Sequence, residues 1–180
     1  MANKEALKAL QQRLAQRLQD ARQHAPVRSW LAVEMAQQGF LLPLDQAGEI
    51  FSPGAMQAVP HSQPWFLGVA NLRGQLHGVV DLARFLGIQR AAVPFGGSEG
   101  GRDASRLVAF NTALQVNVAL LVDRLLGLRN AGAMQLVTPA DGEHKPAFFG
   151  QTMRDEQGRT WYELNLAALA ADEVFLKIDA

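Results

Sequence analysis

The chain has 180 residues with 17 basic and 17 acidic side chains, so its formal net charge is zero, which argues against a dedicated nucleic-acid binder because such proteins carry a basic surface. It contains no cysteine, and this excludes disulfides, thiolate catalysis and thiolate metal sites. Because it has neither an apolar run of about 20 residues nor a signal-peptide core, we expect a cytoplasmic protein that does not insert into a membrane.

An amphipathic helix is predicted at the N-terminus, in residues 1–26. Apolar side chains recur there at steps of three and four residues and form one narrow stripe, which consists of Leu7, Leu10, Leu14, Leu18 and Ala21. Residues 1–28 hold six basic and two acidic side chains, whereas the remainder holds eleven and fifteen, so a basic arm (+4) precedes an acidic body (−4). We expect the stripe to dock on the body, since isolated helices gain stability by packing; packing on a partner helix is the alternative.

After residue 28 the pattern changes to that of short strands. Residues 30–35 and 40–44 predict two strands around a turn at 37–39, and residues 46–51 continue in extended conformation. Prolines and glycine between 53 and 64 keep the next connection irregular. These strands begin a first small barrel, expected over about 30–88, within a body that spans 27–178.

A hairpin followed by a short helix is predicted next. Its strands are residues 66–72 and 76–80, and Gly74 gives the turn between them the backbone freedom that a tight turn needs. Asp81 is predicted to be a structural N-cap, because its carboxylate can accept hydrogen bonds from the free N–H groups of the helix. Arg73 lies at the turn without an acidic neighbour there, and its planar guanidinium on a stiff hairpin suits a geometrically demanding contact.

A glycine-rich loop at 89–104 separates the hairpin from a second β-rich half, about 105–178. Strands are predicted there at 107–110, 114–122, 125–128, 148–153 and 159–166, with a short helix at 166–174. In 114–122, apolar and polar residues alternate, which indicates a half-buried strand. Short strands in both halves favour two small antiparallel barrels.

The tryptophans and histidines have no pattern that indicates a catalytic or metal site. Trp30, Trp65 and Trp161 are expected in the core or along apolar seams, and His77 is expected to face solvent from the strand after the turn. No histidine pair has the i, i+4 spacing of a zinc-binding helix, so no metal site is predicted.

The hairpin sequence resembles that of a known family. Residues 67–74 are L-G-V-A-N-L-R-G, and Asp81-Leu82 follows seven residues later. This combination is similar to the signature of CheW-like adaptor domains, the coupling proteins of bacterial chemosensory arrays, and the resemblance extends from about residue 30 to about residue 175. The N-terminal helix resembles the PilI-like branch, which serves type IV pilus signalling and twitching motility.

The resemblance implies a mainly β fold with two SH3-like five-stranded barrels packed side by side, in which the first strand can cross into the second barrel. It also implies a non-catalytic adaptor without cofactor, monomeric in isolation, that bridges the cytoplasmic tip of a methyl-accepting chemoreceptor to the regulatory domain of a chemotaxis-type histidine kinase. The partner-binding residues would be Arg73, Glu49, Asn71, Gly68 and Gly74. A Glu49–Arg73 ion pair is part of this hypothesis, and the two glycines are expected to serve backbone geometry first.

Two other interpretations remain open from the sequence. Gly96-Gly97-Ser98-Glu99-Gly100 matches the G-x-S-x-G pattern of serine hydrolases, with His144 and Asp141 as partners of Ser98. The motif requires a strand before the serine and a helix after it, and the flanking proline and glycine do not predict that elbow. A regulatory barrel that binds only a second copy of itself is the third interpretation.

Overall fold

The computed structural model describes residues 28–88, 105–137 and 145–180. The predicted N-terminal helix, the glycine-rich loop with Ser98, and the residues Asp141 and His144 lie outside this part of the chain. None of the helices in the described part has the length and hydrophobicity needed to cross a bilayer.

Short strands make up half of the described residues. The eleven strands are β1 (Ser29–Met35), β2 (Gln38–Pro43), β3 (Ala47–Phe51), β4 (Phe66–Leu72), β5 (Gln75–Asp81), β6 (Arg106–Phe110), β7 (Val118–Val122), β8 (Arg124–Asn130), β9 (Met134–Val137), β10 (Phe149–Asp155) and β11 (Thr160–Leu164). The three α-helices are α1 (Leu82–Phe85), α2 (Leu166–Ala170) and α3 (Glu173–Leu176), and 3₁₀ turns occupy Thr112–Leu114 and Ala131–Ala133. The predicted mainly β fold with short helices is confirmed.

The strands form two sheets that interleave along the chain. Sheet 1 has the order β8-β1-β2-β11-β10-β9, and sheet 2 has the order β3-β6-β7-β5-β4. Sheet 1 thus combines strands from both ends of the chain, while sheet 2 is built from its middle. Each sheet therefore contains strands from both sides of the glycine-rich loop at 89–104.

Two pairings are parallel, β2 with β11 and β5 with β7, where only antiparallel pairs were predicted. Parallel neighbours are joined by long connections rather than by a tight turn, so no local sequence signal announces them. Among the described residues, neither sheet is closed by strand pairing: β8 and β9 are the edges of sheet 1, and β3 and β4 are the edges of sheet 2.

Three apolar clusters organise the interior. One lies on sheet 1 alone and includes Trp30 and Trp161; another lies on sheet 2 alone and includes Val79 and Leu121. The largest joins the two sheets and contains residues from each of them together with Trp65 and the helices. This arrangement is that of two small units packed side by side, each with its own interior, and it confirms the core placement of the three tryptophans.

The prediction of a half-buried strand at 114–122 was wrong. The chain makes a 3₁₀ turn at Thr112–Leu114, Gln115 adopts a left-handed conformation with φ +57°, and the strand begins only at Val118. All five residues of β7 are buried, because this strand lies in the middle of sheet 2 with both faces covered, and such strands are apolar on both faces.

Three further expectations for single elements differ from the structure. The helix predicted at 166–174 is divided into α2 and α3, with Asp172 as the N-cap of the second. Strand β9 was not predicted. His77 is buried rather than solvent-facing, because it pairs with Ala70 in the β4–β5 ladder, and Ala70 belongs to the interior cluster of sheet 2.

Candidate functional site

The β4–β5 hairpin turns through two residues in left-handed conformation. Leu72 pairs with Gln75, so the loop is Arg73–Gly74, with φ values of +49° and +84°. Two consecutive positive φ values are typical of a type I′ turn, whose twist matches that of antiparallel strands. The side-chain oxygen of Asn71 accepts a hydrogen bond of 2.8 Å from the N–H of Gly74. The hairpin tip is therefore specified by local interactions.

Arg73 forms an ion pair with Glu49. The guanidinium Nη1 lies 2.8 Å from Glu49 Oε2, and the guanidinium carbon lies 5.9 Å from the centre of the Phe51 ring. Both side chains are more than half exposed, at 76% and 58%, and exposed ion pairs contribute little to stability. The main effect of the contact is to orient the guanidinium at the surface.

The ion pair connects the two edges of sheet 2. Glu49 lies on β3, at a bulge between Ala47 and Ile50, and Arg73 lies in the loop that ends β4. Since β3 and β4 are the first and last strands of the sheet, the sheet must curl for these side chains to meet. Arg73 is therefore at the seam of the small unit that sheet 2 forms.

Gly68 and Gly74 both adopt backbone conformations with positive φ, which favour glycine. Gly68 has φ +131°, and a Cβ there would overlap the carbonyl oxygen of Gln57. Gln57 and Val69 exchange backbone hydrogen bonds of 2.8 and 2.9 Å, so the loop before the hairpin adds a bridge to β4 at this point. A Cβ on residue 74 would meet no atom within 4 Å. The left-handed turn conformation is therefore the reason why this position needs a glycine.

Asp81 lies at the N-cap of α1. Its Oδ1 accepts a hydrogen bond of 3.3 Å from the backbone N–H of Arg84, and Oδ2 lies 3.5 Å from the side-chain Nε of the same residue. The carboxylate is fully buried. After the single helical turn, Gly87 continues with φ +68°, a conformation that commonly follows a helix C-terminus.

Two exposed apolar side chains lie near the partners of the ion pair along the chain, and neither was predicted from the sequence. Leu76 pairs with Asn71 across the hairpin and is 62% exposed, and Ile50, next to Glu49, is 43% exposed. Apolar side chains around an arginine are typical of protein-docking surfaces. Leu76 and Ile50 can be seen in the sequence as apolar residues of two strands, but an apolar residue in a strand predicts burial unless the strand pairing is known.

A family model for the CheW-like domain matches residues 29–174, a stretch that contains both sheets and the hairpin. The chain belongs to the CheW-like family. Protein PilI of Pseudomonas aeruginosa is 27% identical over 161 residues, which cover 87% of this chain and 84% of PilI. The crystal structure of the scaffolding protein TtCheW from Thermoanaerobacter tengcongensis superposes with a TM-score of 0.61 at 18% identity, over 79% of this chain and 88% of that one, and shows the same fold.

A second group of charged residues lies in sheet 1 of this CheW-like domain. Glu34 on β1 is buried, and its carboxylate accepts hydrogen bonds from Arg124 Nε at 2.9 Å and from Arg159 Nη2 at 2.7 Å. Burial alone would raise the pKa of Glu34, but the two guanidinium groups outweigh it and hold the pKa below its ordinary value of 4.5. The group joins β1, β8 and the β10–β11 turn and serves the fold.

Another carboxylate, Glu163, is buried on β11. Its oxygens accept hydrogen bonds of 2.8 Å from Trp30 Nε1 and 3.2 Å from the N–H of Gln151, and Arg28 lies 3.6 Å away. Trp30 and Glu34 lie on the same face of β1 because they are four residues apart in a strand. This face of β1 thus has a buried carboxylate at each end: Glu163 binds Trp30, and Glu34 lies on the strand itself. Residues 28–88, 105–137 and 145–180 contain no group of three acidic or histidine side chains arranged for a metal ion.

Proposed function

We propose that this CheW-like protein is a non-catalytic cytoplasmic adaptor that couples a methyl-accepting chemoreceptor to a CheA-type histidine kinase. Membership of the family supports the adaptor role, and the solved relative is itself described as a scaffolding protein. Similarity to PilI over most of both chains supports a place in the signalling that controls type IV pili and twitching motility. The protein would act as a monomer that binds both partners at once.

The observation that carries the proposal is the Arg73 guanidinium held on a rigid hairpin by Glu49. A type I′ turn fixes the backbone beneath it, and the ion pair fixes its orientation. With 76% of the side chain exposed, the remaining N–H groups are accessible to carbonyl or carboxylate oxygens of a partner, which a guanidinium binds with defined geometry.

Leu76, on the same hairpin, and Ile50, next to Glu49 on β3, supply exposed apolar area, and β3 and β4 are the edge strands of sheet 2. We expect the regulatory domain of the kinase to pack here, with Arg73 as the residue that contributes most to affinity. Asn71 and Gly74 would contribute by holding the tip in shape, and Gly68 by holding β4.

The test replaces Arg73 without disturbing the turn. Arg73→Asn is the sharpest variant, since Asn-Gly is the preferred type I′ sequence, and Arg154→Asn, an exposed arginine on β10 of sheet 1, is the matched control. We expect the dissociation constant for the purified kinase regulatory domain, measured by titration calorimetry, to rise about tenfold or more for Arg73→Asn. The control should bind like the wild type.

Equal affinity of wild type and Arg73→Asn, with an unchanged circular dichroism spectrum, would refute the assignment of Arg73. The exchanged double variant Glu49→Arg with Arg73→Glu then separates orientation from charge. It restores the ion pair across the seam but reverses the charge at the tip, so we expect binding to stay weak, with a melting temperature close to that of the wild type because the exposed pair contributes little to stability.

A further inference from the structure

The β4–β5 hairpin extends beyond the strands that flank it in sheet 2. β5 pairs with β7 only from Gly78 onward, and Gly78 is the partner of Val69 on β4. On the other side of β4, Val69 is bridged to Gln57, which lies in the connection between β3 and β4. From residue 70 to residue 77, the strand pairings recorded among the described residues are those of the hairpin itself. The Gln57–Val69 bridge therefore supports the hairpin at the base of the tip that carries Arg73.

The segment that makes this bridge is residues 52–65, which we call the connecting loop. None of residues 52–64 is buried, and Trp65 is the first residue of the loop to enter the core. Connections of more than about 12 residues without secondary structure are uncommon and usually functional. Since the loop has few apolar contacts, its position depends mainly on its hydrogen bonds.

The end of the connecting loop is held by the residues that follow α3. The backbone N–H of Gln63 donates a hydrogen bond of 2.8 Å to the carbonyl of Ile178, and the N–H of Ala180 donates one of 3.0 Å to the carbonyl of His61. The side-chain amide of Gln63 donates a further bond of 2.9 Å to the carbonyl of Asp179. We call these three hydrogen bonds the clamp.

Both sides of the clamp are attached to fixed parts of the fold. Just before it on one side, Phe175 is buried, and its ring stacks on that of Trp65 with 5.9 Å between the centroids and 6° between the planes. On the other side, the carbonyl of Gln63 accepts a hydrogen bond of 2.9 Å from the N–H of Phe66, the first residue of β4. The clamp thus joins a segment anchored in the core to the start of the hairpin.

We propose that the clamp holds the connecting loop against β4 and so positions the Arg73 tip for docking, with Gln63 as a positioning residue. The inference rests on the function proposed above for Arg73. When the clamp opens, the loop loses its fixed end, the Gln57–Val69 bridge opens more often, and the tip samples more orientations. A partner then has to restrict these orientations on binding, which lowers its affinity.

The test weakens the clamp without changing the hairpin. Gln63→Ala removes the side-chain donor, and Ala180→Pro removes the backbone N–H that donates to His61, because proline has none. The two changes are combined in the full chain as the clamp variant. The matched control combines Gln135→Ala, at an exposed glutamine of β9, with Ala180→Gly, which retains the N–H.

Amide hydrogen exchange of the protein alone, followed by NMR, tests the clamp directly. We expect the N–H groups of Gln57 and Val69 to exchange about tenfold faster in the clamp variant than in the wild type, because two of the three hydrogen bonds that fix the loop are lost. The amides of the β10–β11 ladder should exchange at the wild-type rate, and so should all of these amides in the control. Unchanged exchange at Gln57 and Val69 would overturn the proposal.

Affinity for the purified kinase regulatory domain tests the positioning. We expect the dissociation constant to rise about threefold or more in the clamp variant and to be unchanged in the control, while the circular dichroism spectrum stays that of the wild type. With Arg73→Asn already present, the same clamp changes should weaken binding less, because the positioned group is gone. Equal losses with and without Arg73→Asn, or faster exchange without any loss of affinity, would contradict positioning through Arg73.

The two measurements also separate this inference from the function on which it rests. If Arg73→Asn alone binds like the wild type, the docking role of Arg73 and the positioning role of Gln63 both fail. The exchange rates of Gln57 and Val69 then still decide whether the clamp holds the loop, since they are measured without a partner.

Discussion

Glu34 shows how single residues distant in sequence determine the interior of sheet 1. Its buried carboxylate is held by Arg124 and Arg159, which lie 90 and 125 residues further along the chain. None of the three residues stood out in the sequence, because a glutamate inside a predicted strand is assumed to face solvent. Only the tertiary structure shows that the two arginines converge on it.

The lowered pKa of Glu34 predicts how stability depends on pH. The folded-state pKa lies below the ordinary value of 4.5, so the unfolded chain takes up the proton first as the pH falls. The stabilisation is complete above about pH 4.5 and is lost as the pH falls through the folded-state pKa, with a slope of at most about 1.4 kcal/mol per pH unit.

Glu34→Gln cannot lose a charge, so we expect its free energy of unfolding to fall less steeply than that of the wild type between pH 5 and pH 3.5. Urea titrations at several pH values measure the two slopes. Parallel pH profiles for the two proteins would contradict the role assigned to this carboxylate.

Arg73 and Glu49 mark the limit of sequence reasoning at the proposed docking surface. The family resemblance indicated both residues, and the pair is formed in the structure. The neighbouring Leu76 and Ile50 were not indicated, because their exposure depends on which faces of β5 and β3 the rest of the fold covers.

Among the elements, the β4–β5 hairpin was the most predictable and β7 the least. The hairpin is encoded by local chemistry, with Asn71 and Gly74 shaping the turn and Asp81 beginning the helix. β7 is defined by its neighbours in the sheet, and the apolar–polar alternation that predicted it lies in residues 114–118, mostly before the strand begins. β9, with four residues, is too short to stand out from the surrounding turns.

Gly68 allows a test at the scale of this hairpin. Gly68→Ala should lower the free energy of unfolding by about 2 kcal/mol, because alanine is strained at φ +131° and its Cβ overlaps the Gln57 carbonyl. Gly54→Ala is the control, since a Cβ there meets no atom within 4 Å and the backbone is unstrained. Denaturant unfolding measures both. If the two variants are equally stable, the bridge between Gln57 and β4 does not constrain the hairpin.

For the whole molecule, the interleaving of the sheets makes the two halves dependent on each other. Residues 28–88 contain β1 and β2 without β8 and β11, and they contain β5 without its parallel partner β7. The sequence predicted the class of fold and its short strands but not the pairing that interleaves the sheets, because composition shows where a chain is irregular and not which strands pair.

We therefore expect neither of the fragments 28–88 and 105–180 to fold alone. Far-ultraviolet circular dichroism should show little β structure and no sharp thermal transition for either fragment, whereas the full chain should unfold in one transition by circular dichroism and by tryptophan fluorescence. A cooperative transition in an isolated fragment would show that the halves are independent.

The order of strands also has a consequence for synthesis on the ribosome. Every strand of sheet 2 has been made once Val122 is complete, so its pairings are available while the C-terminal third of the chain is still missing. β1 and β2 are translated first, yet β1 must wait for β8 and β2 for β11, the last strand of all. During that interval β1 and β2 can pair with each other, but the outer edge of each strand lacks its partner, and unpaired strand edges are prone to misassembly.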